Sequence, residues 1–549
     1  MRISLAQLNY HVGNFEKNSE LITEAIGKAE EDGSDLIVFS ELSLCGYPPL
    51  DLLERSDFVD KCYKYLDIIA GRCTKLAAIV GAPAINTNSR GKKLYNAAYL
   101  LADGKIKDRV YKGLLPTYDI YDEYRYFEPA GDFKIIELKG KKIALTICED
   151  LWDEQSFENE FSSPRLYRVS PMNELAKFDP DLVINISASP FAYNKIESRK
   201  KIFTGKAARH GLPLFMVNQV GANTDLIFDG SSMVVGPGGN PVDIFPSFKE
   251  HQASYELADV IRERDGKTQA TDRIGMILSA LVFGLEDYFR KMNFRSAVIG
   301  LSGGIDSAVC LCIATAALGP SNVKAILLPS MHSSKHSVDD AIELSKRLGV
   351  EYDIINIEKA YRAIGESLSE MMKDIPEDVT EENIQARVRS LLLMAISNKF
   401  GHILLNTSNK SETAVGYSTL YGDMAGSISL LGDVYKTDIY RLAEHINRKE
   451  EVIPLNIIKK EPSAELSPGQ KDSDSLPTYD ILDSILYQYI ELQKPIPDIR
   501  GRAYDTALVK KVTDMVNQSE FKRYQAPPIL RVSSKSFGPG RRMPLVGIY

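Results

Sequence analysis

A segment rich in glycine and serine in the second half of the chain carries the clearest chemical pattern in the sequence. Its residues are Gly300, Leu301, Ser302, Gly303, Gly304, Ile305, Asp306 and Ser307. Apolar runs at 297–299 and 308–318 flank it, which predicts a strand, a tight turn and a helix. Free backbone N–H groups at the start of that helix, with the hydroxyls of Ser302 and Ser307, predict a site for a phosphate or pyrophosphate. Asp306 would repel a phosphate unless a cation lay between them, so we interpret it as a Mg²⁺ ligand.

The spacing of these residues distinguishes the segment from two other phosphate-binding loops. A Walker A loop requires a lysine before its last serine or threonine, and a Rossmann loop has a different glycine spacing. A glycine–serine turn without any ligand is the structural alternative. The pattern S-G-G-x-D-S, between a predicted strand and a predicted helix, resembles the pyrophosphate loop of the N-type ATP pyrophosphatases. That resemblance implies cleavage of ATP to AMP and pyrophosphate while a substrate is adenylated.

Three residues in the first half of the chain have side chains that together could carry out nucleophilic catalysis. Cys148 and Glu41 each follow a strand-like run, where α/β folds commonly place catalytic groups, and Lys112 lies in a loop-like segment after a strand. A cysteine nucleophile needs a base to remove its proton and a cation to stabilise the developing negative charge. Glu41 has the side chain of such a base, and Lys112 that of such a cation. A Cys–His pair is the alternative, because His210 and His251 follow Cys148 in this half.

The segments around these three residues resemble the signature segments of the nitrilase superfamily. They read F-S-E-L at Glu41, K-x-x-L-P at Lys112 and C-E-D-x-W at Cys148, in the order of that family. The resemblance implies an amidase with a Glu–Lys–Cys catalytic triad on an αββα sandwich. It also implies a glutamine-binding site formed by Tyr118, Ser189 and Lys195. The other cysteines have no such context and are predicted to be structural: Cys45, Cys62, Cys73, Cys310 and Cys312.

In the second half, strand-like runs alternate with helical patterns, which predicts a doubly wound parallel sheet. Segments at the ends of these strands supply further polar side chains. Glu412 is suited to be the second carboxylate on Mg²⁺ with Asp306, because one carboxylate alone rarely holds that ion. Thr407 could bind a nucleotide, and Lys436 would place a cation near the leaving pyrophosphate.

These segments resemble those of the NAD synthetases. The matching pieces are S-G-G-x-D-S, E-N-I-Q-A-R, N-T-S-N-K-S-E-T-A-V-G, Y-G-D and P-S-A-E-L. The resemblance implies that ATP contacts the segment 300–307 with Arg389, Thr407 and Lys436. For deamido-NAD it implies contacts with Asn383, Glu412, Tyr417, Ser418, Thr419, Leu420 and Lys522.

The length and composition indicate an ordinary globular protein with more than one domain. A chain of 549 residues is too long for a single core. We predict an α/β nitrilase-like sandwich at 1–255, a charged linker at 256–270, and a doubly wound ATP-pyrophosphatase domain at 271–549. The net charge of −8 gives no sign of nucleic-acid binding, and no apolar run is long enough to cross a bilayer. Six cysteines without C-x-x-C pairs fit a reducing compartment, so we expect a cytoplasmic protein.

The two resemblances together imply one reaction. Ammonia released from glutamine in the first domain would amidate adenylated deamido-NAD in the second, giving NAD⁺, AMP, pyrophosphate and glutamate. ATP would be a substrate and Mg²⁺ the cofactor, and the family implies an ammonia channel and a homo-oligomer. Two alternatives are another adenylating amidotransferase, acting on a nucleotide base or tRNA, and a non-catalytic protein built on the same domains.

Overall fold

The computed structural model describes residues 1–153, 166–263, 266, 272–501 and 504–547. The chain divides into two compact units, Met1–Thr271 and Asp272–Tyr549. We describe each unit by itself. No helix in the described part of the chain combines the length and apolar character that crossing a bilayer would require.

Unit 1 is built from strands that alternate with helices along most of its length. Its strands are β1 (Arg2–Gln7), β2 (Leu36–Val38), β3 (Ala77–Ile85), β4 (Leu94–Ala102), β5 (Lys105–Tyr111), β6 (Ile136–Leu138), β7 (Lys141–Ile147), β8 (Leu182–Ser187), β9 (Leu214–Asn218), β10 (Val220–Asn223), β11 (Leu226–Asp229), β12 (Met233–Val235), β13 (Pro241–Ile244) and β14 (His251–Glu256). Its helices are α1 (Phe15–Glu31), α2 (Ser56–Ala70), α3 (Pro171–Ala176), α4 (Ile196–His210) and α5 (Leu257–Arg262).

Two six-stranded sheets form the centre of unit 1. Their strand orders are β14-β1-β2-β3-β4-β5 and β13-β12-β9-β8-β7-β6. Ile3 and Val38 from the first sheet are buried in one apolar cluster with Leu145 and Ile184 from the second. This cluster is the layer between the two sheets, and its burial from water holds them face to face.

Helices cover the outer face of each sheet. Ile22 of α1 and Leu66 of α2 belong to a cluster with strands of the first sheet. Met172 of α3 and Phe203 of α4 belong to a cluster with strands of the second sheet. The order of layers is therefore helix, sheet, sheet, helix, which confirms the predicted αββα sandwich.

The predicted linker at 256–270 begins at the last residue of β14 and includes α5. Strand β14 pairs antiparallel with β1, from His251 opposite Gln7 to Glu256 opposite Arg2. Leu257 and Val260 of α5 are buried in the cluster between the sheets. Residues 264, 265 and 267–270 of that segment lie outside the described residues.

The described part of unit 2 has five strands and a larger share of helix than unit 1. Its strands are β15 (Ala297–Gly300), β16 (Val323–Leu327), β17 (Glu351–Ile354), β18 (Ile403–Asn406) and β19 (Ile428–Ser429). Its helices are α6 (Arg273–Met292), α7 (Ile305–Leu318), α8 (Lys335–Leu348), α9 (Glu358–Leu368), α10 (Val379–Phe400), α11 (Lys410–Val415), α12 (Lys436–Ile446), α13 (Leu455–Lys459), α14 (Tyr479–Leu486), α15 (Thr506–Gln518) and α16 (Glu520–Arg523).

The sheet of unit 2 is parallel throughout, with the order β17-β16-β15-β18-β19. Chain order reverses direction between β15 and β18, and such a switch point opens a crevice at the carboxyl ends of the strands. The segment 300–307 begins at the carboxyl end of β15, at this switch point. The segment 407–412 follows the carboxyl end of β18. The prediction of a doubly wound parallel sheet is confirmed, and the topology brings the two segments to one crevice.

Candidate active sites

Cys148 lies where β7 ends and a short 3₁₀ turn, Cys148–Leu151, begins. Its φ of +42° is in the left-handed region, which a residue with a side chain rarely adopts without support from its surroundings. Asp150 supplies that support. One of its carboxylate oxygens accepts the N–H of Ile147 at 2.9 Å, and the other accepts the N–H groups of Gly113 and Leu114, also at 2.9 Å. Asp150 thus ties the turn of Cys148 to the segment that directly follows Lys112.

The side chains of Lys112 and Glu41 are fully buried and bonded to each other. The Nζ of Lys112 donates to Oε1 of Glu41 at 2.7 Å, and also to both carboxylate oxygens of Glu123 at 2.8 Å. Glu41 further accepts from Nδ2 of Asn96 at 2.7 Å and from the backbone N–H of Ala188 at 3.0 Å. One ammonium thus serves two carboxylates, and all three charged side chains are hydrogen-bonded, as buried charges require.

The charges of this group act on the ionisation of Cys148. Burial raises the pKa of the thiol well above its ordinary value, the charge of Glu41 raises it further, and Lys112 acts in the opposite direction. Burial opposes the charged form of Lys112, but Glu123 and Glu41 outweigh it and raise the pKa of that ammonium well above its usual range. At neutral pH the thiol of Cys148 is therefore protonated and the side chain of Lys112 is charged.

The residues predicted to bind glutamine lie around the segment that contains Cys148. The hydroxyl of Tyr118 donates to the carboxylate of Glu149 at 3.0 Å. Ser189 and Lys195 line a small pocket, and the Nζ of Lys195 lies 4.0 Å from a carboxylate oxygen of Asp119. The charge of Lys195 also acts on the ionisation of Glu149, whose pKa burial raises. A carboxylate and an ammonium next to a nucleophile match the two charged ends of an α-amino acid.

In unit 2, the segment 300–307 turns tightly between β15 and α7. Gly303 has a φ of +79°, and a Cβ at this position would lie 2.2 Å from the backbone oxygen of Ser337, so only glycine fits. Ser302 Oγ accepts the N–H of Gly304 at 3.2 Å, and the hydroxyls of Ser302 and Ser307 are 3.1 Å apart. These bonds hold the turn open toward a cleft of about 310 Å³ at the start of α7.

Asp306 and Glu412 lie on two sides of one cation, the ammonium of Lys436. Its Nζ donates to Oδ2 of Asp306 at 2.6 Å and to Oε1 of Glu412 at 3.0 Å. Burial raises the pKa of Asp306 to about 6, Lys436 lowers it, and Glu412 raises it further. Asn409 donates to Asp306 at 3.2 Å, and Tyr479 donates to Glu412 at 3.1 Å. The two carboxylates converge on the Lys436 ammonium, and carboxylate oxygens are also ligands that Mg²⁺ prefers in proteins.

The other residues predicted for ATP and deamido-NAD fall into two groups. Those that line the cleft are Arg389, Thr407, Tyr417 and Ser418, with Gly300, Leu301, Ser302, Gly304, Ile305, Asp306, Ser307, Glu412 and Lys436. The second group supports the wall around Ser418. Its bonds run from Thr419 Oγ1 to Asn383 at 2.7 Å, from Arg387 to the carbonyl of Leu420 at 3.2 Å, and from Lys522 Nζ to the carbonyls of Gly416 and Ser418 at 2.7 Å.

Some residues of both sites were not found from the sequence. Glu123 and Asn96 complete the group around Lys112, yet Glu123 lies in an unremarkable charged stretch and Asn96 inside an apolar strand. Tyr479 and Asp472 stand beside Glu412, where Tyr479 also donates to Asp472 at 2.8 Å. A contact between a buried acid and a lysine cannot be predicted from either local sequence, because the fold brings the two side chains together.

The geometry defines a class for each unit, namely a cysteine amidohydrolase followed by an adenylate-forming enzyme of the pyrophosphate-loop type. Comparison with known families agrees with both. The carbon–nitrogen hydrolase family model matches residues 2–156, and the NAD synthase family model matches residues 277–526.

Similarity to known proteins extends over nearly the whole chain. A glutamine-dependent NAD(+) synthetase from a Synechocystis species is 43% identical over 99% of this chain and 98% of its own. The protein of the same description from Thermotoga maritima is 39% identical over the same shares. Among solved structures, that of glutamine-dependent NAD+ synthetase from Acinetobacter baumannii, in complex with ADP, is 34% identical and has a TM-score of 0.78. It covers 99% of this chain, and this chain covers 98% of it. The chain belongs to the glutamine-dependent NAD(+) synthetase family.

Proposed function

We propose that this protein amidates deamido-NAD to NAD⁺ with ATP, using ammonia that it releases from glutamine. The observation that carries the proposal is the presence in one chain of two complete sets of groups. Unit 1 brings a buried cysteine together with a carboxylate and an ammonium, and unit 2 brings a phosphate loop together with two carboxylates around a lysine.

In unit 1, we assign the three catalytic roles to Cys148, Glu41 and Lys112. Glu41 takes the thiol proton as the sulfur attacks the side-chain amide carbon of glutamine, and Lys112 donates to the oxygen that becomes negative. Glu41 then returns the proton to the departing ammonia, which leaves a thioester. Glu41 next takes a proton from water, which attacks the thioester. Glutamate is released as the sulfur leaves, and Glu41 returns the proton to the sulfur to restore the thiol.

The charges near Cys148 suit glutamine as the substrate. We assign the α-carboxylate to Lys195 and Ser189, and the α-ammonium to Glu149 and Tyr118. Glu149 accepts from the hydroxyls of Tyr118 and Tyr167 at 3.0 and 2.9 Å, which fixes its carboxylate beside the nucleophile. An amide substrate without these two charged ends would leave buried polar groups without partners, which disfavours its binding.

In unit 2, we propose that the nicotinate carboxylate of deamido-NAD attacks the α-phosphorus of ATP and displaces pyrophosphate. The segment 300–307, Arg389, Thr407 and Lys436 hold ATP. The segment 417–420, with the support of Asn383 and Lys522, holds deamido-NAD near Glu412. The carboxylate oxygen becomes a good leaving group as AMP, so ammonia can then displace AMP to form the amide.

We propose that Asp306 and Glu412 hold Mg²⁺ when ATP binds. The ion would supply positive charge next to the phosphate oxygens and the departing pyrophosphate. Lys436 contacts both carboxylates and would remain close enough to bind the same pyrophosphate oxygens.

Three further features belong to this proposal. We take 1–255 and 271–549 as the two catalytic domains, with 256–270 as the segment that joins them. We propose small-molecule substrates only, and a cytoplasmic site of action, because all six cysteines are free thiols. We also propose that the protein forms a homo-oligomer, as the family resemblance implies.

Isotope transfer tests the proposed reaction. The full chain is incubated with ATP, Mg²⁺, deamido-NAD and glutamine labelled with ¹⁵N at the side-chain amide. We expect NAD⁺ labelled at the carboxamide nitrogen, with one AMP, one pyrophosphate and one glutamate for each NAD⁺. Absence of NAD⁺ with both glutamine and ammonium would refute the proposed function.

A further inference from the structure

The cleft of unit 2 contains a third cationic side chain that the reaction described above does not use. Lys460 follows α13 and lines the same cleft as Ser302, Gly304 and Ser307. Its Nζ lies 2.5 Å from Oε1 of Glu465 and also donates to the hydroxyl of Ser337. Ser337 is the residue whose backbone oxygen a Cβ at Gly303 would meet at 2.2 Å. The Lys460 ammonium therefore lies one side chain away from the phosphate loop.

The charge around the cleft shows why this lysine matters. Among the described residues that line it, Arg389, Lys436 and Lys460 are the cations, and they face six carboxylates. ATP and deamido-NAD both carry several negative charges. Two of the three cations already make hydrogen bonds within the protein. The Nε of Arg389 donates to the carbonyl of Leu328 at 3.0 Å, and the Nζ of Lys436 donates to Asp306 and Glu412. A cleft with this excess of carboxylates needs every available cation to hold a triphosphate.

The carboxylate of Glu465 would keep other hydrogen-bond donors if Lys460 moved away from it. It accepts from the N–H of Ser334 at 3.2 Å and from the hydroxyls of Ser334 and Ser337, both at 2.9 Å. These donors belong to the start of α8, where a negative charge is favourable. If Lys460 moved from Glu465 to a phosphate, the half-buried carboxylate would therefore keep hydrogen-bond donors, which lowers the free-energy cost of the move.

We propose that Lys460 is a phosphate-binding residue of the synthetase site, and that Glu465 holds it when no nucleotide is bound. When ATP enters, the ammonium exchanges the Glu465 carboxylate for oxygens of the β- and γ-phosphates, and it stays with them as pyrophosphate leaves. Glu465 is then an internal competitor of the polyphosphate. This inference rests on the proposed function of unit 2 and adds a ligand contact to it.

Pyrophosphate binding to the full chain tests the inference. Calorimetric titration with magnesium pyrophosphate is compared for wild type, Lys460→Met, Lys460→Arg and Glu465→Gln. The exposed neighbour Lys459, changed to methionine, is the matched control. Loss of one ionic hydrogen bond to phosphate is expected to weaken binding about tenfold or more in Lys460→Met. Lys460→Arg should recover most of the affinity, and Lys459→Met should bind as wild type does.

The Glu465→Gln variant separates ligand binding from a merely structural role. If Glu465 competes with phosphate for Lys460, its neutralisation should tighten pyrophosphate binding severalfold. If Lys460 only fastens its segment to α8, Glu465→Gln should weaken binding or leave it unchanged, which would overturn the inference. Two results with Lys460→Met would also overturn the inference. One is an affinity for pyrophosphate within twofold of wild type. The other is an equal loss of affinity for adenosine, which has no phosphate for Lys460 to bind. Should Lys460→Met fail to fold, Lys460→Arg and Glu465→Gln still decide.

The same proteins distinguish this inference from the proposed function. Synthesis of NAD⁺ by the wild type with ammonium tests the function. Suppose that the wild type makes NAD⁺ but that Lys460→Met changes neither the KM for ATP nor the inhibition by pyrophosphate. That result would refute only the role of Lys460. We expect both the KM for ATP and the inhibition constant of pyrophosphate to rise by about tenfold in that variant.

Discussion

Replacement of Glu123 by glutamine removes one of the two carboxylates that hold the ammonium of Lys112. Both oxygens of Glu123 accept from Lys112 Nζ at 2.8 Å, and Oε1 also accepts from the hydroxyl of Tyr47 at 2.9 Å. Glutamine has the same shape, but it keeps only one acceptor oxygen and turns an NH₂ group toward the lysine. Among the described residues, Glu41 then remains as the only carboxylate hydrogen-bonded to the Lys112 ammonium.

The size of the effect follows from the bond that is lost. A hydrogen bond between two charged groups in a buried site contributes about 1.5–3 kcal/mol. Glu41 would be drawn more strongly to Lys112, which makes it a weaker base toward Cys148 and places the ammonium less well for the oxyanion. If the lost energy appears in the transition state, kcat/KM for glutamine hydrolysis falls roughly tenfold to hundredfold.

The assay measures NAD⁺ formation by Glu123→Gln with glutamine and, separately, with ammonium. We expect the loss with glutamine only, because Glu123 belongs to unit 1 and ammonium needs no hydrolysis. Asp132→Asn, an exposed acid nearby, is the control and should behave as wild type. Glutamine-driven activity within threefold of wild type would refute the role of Glu123, and an equal loss with ammonium would mean general damage to the protein.

Three further predictions concern the two sites. Gly303→Ala places a methyl group against the Ser337 carbonyl at a positive φ, so ATP-dependent synthesis should fall at least hundredfold while glutamine hydrolysis persists; an active variant would disprove the need for the close approach. Asp306→Asn should abolish NAD⁺ synthesis from either nitrogen source while glutamine hydrolysis persists, because the metal that accompanies ATP would lose one of its two carboxylates; synthesis near the wild-type rate would remove Asp306 from the metal site. Burial raises the pKa of Cys148, so in the glutamine-free protein its alkylation by iodoacetamide should keep rising as the pH passes 9, whereas a plateau below pH 8 would indicate a preformed thiolate with Lys112.

The sequence was most informative where a short segment carries its own chemistry. The pattern at 300–307 predicted a strand, a turn and a helix, and β15 and α7 flank the turn as expected. Cys148 and Glu41 could be placed at strand ends because mostly apolar residues precede them, at 143–147 and at 36–39. The doubly wound order could be predicted because strands and helices alternate with clear periodicity.

Features that depend on contacts distant in sequence could not be predicted. Glu123 becomes part of the amidohydrolase group only because its turn is folded against Lys112, and nothing in the local sequence marks it. Strand β14 was missed for a different reason. It is an edge strand whose residues are all half-buried, so its sequence shows no apolar alternation that would predict a strand. Pairing with β1, about 250 residues earlier, decides its structure.

A Cys148→Ala variant gives the most direct test of two linked sites in one chain. With ATP, Mg²⁺ and deamido-NAD, the account predicts that NAD⁺ formation from glutamine falls to background, because no thioester can form. Formation of NAD⁺ from added ammonium should keep the wild-type rate. Glutamine-driven synthesis that survives the substitution, or loss of both activities together, would contradict the account.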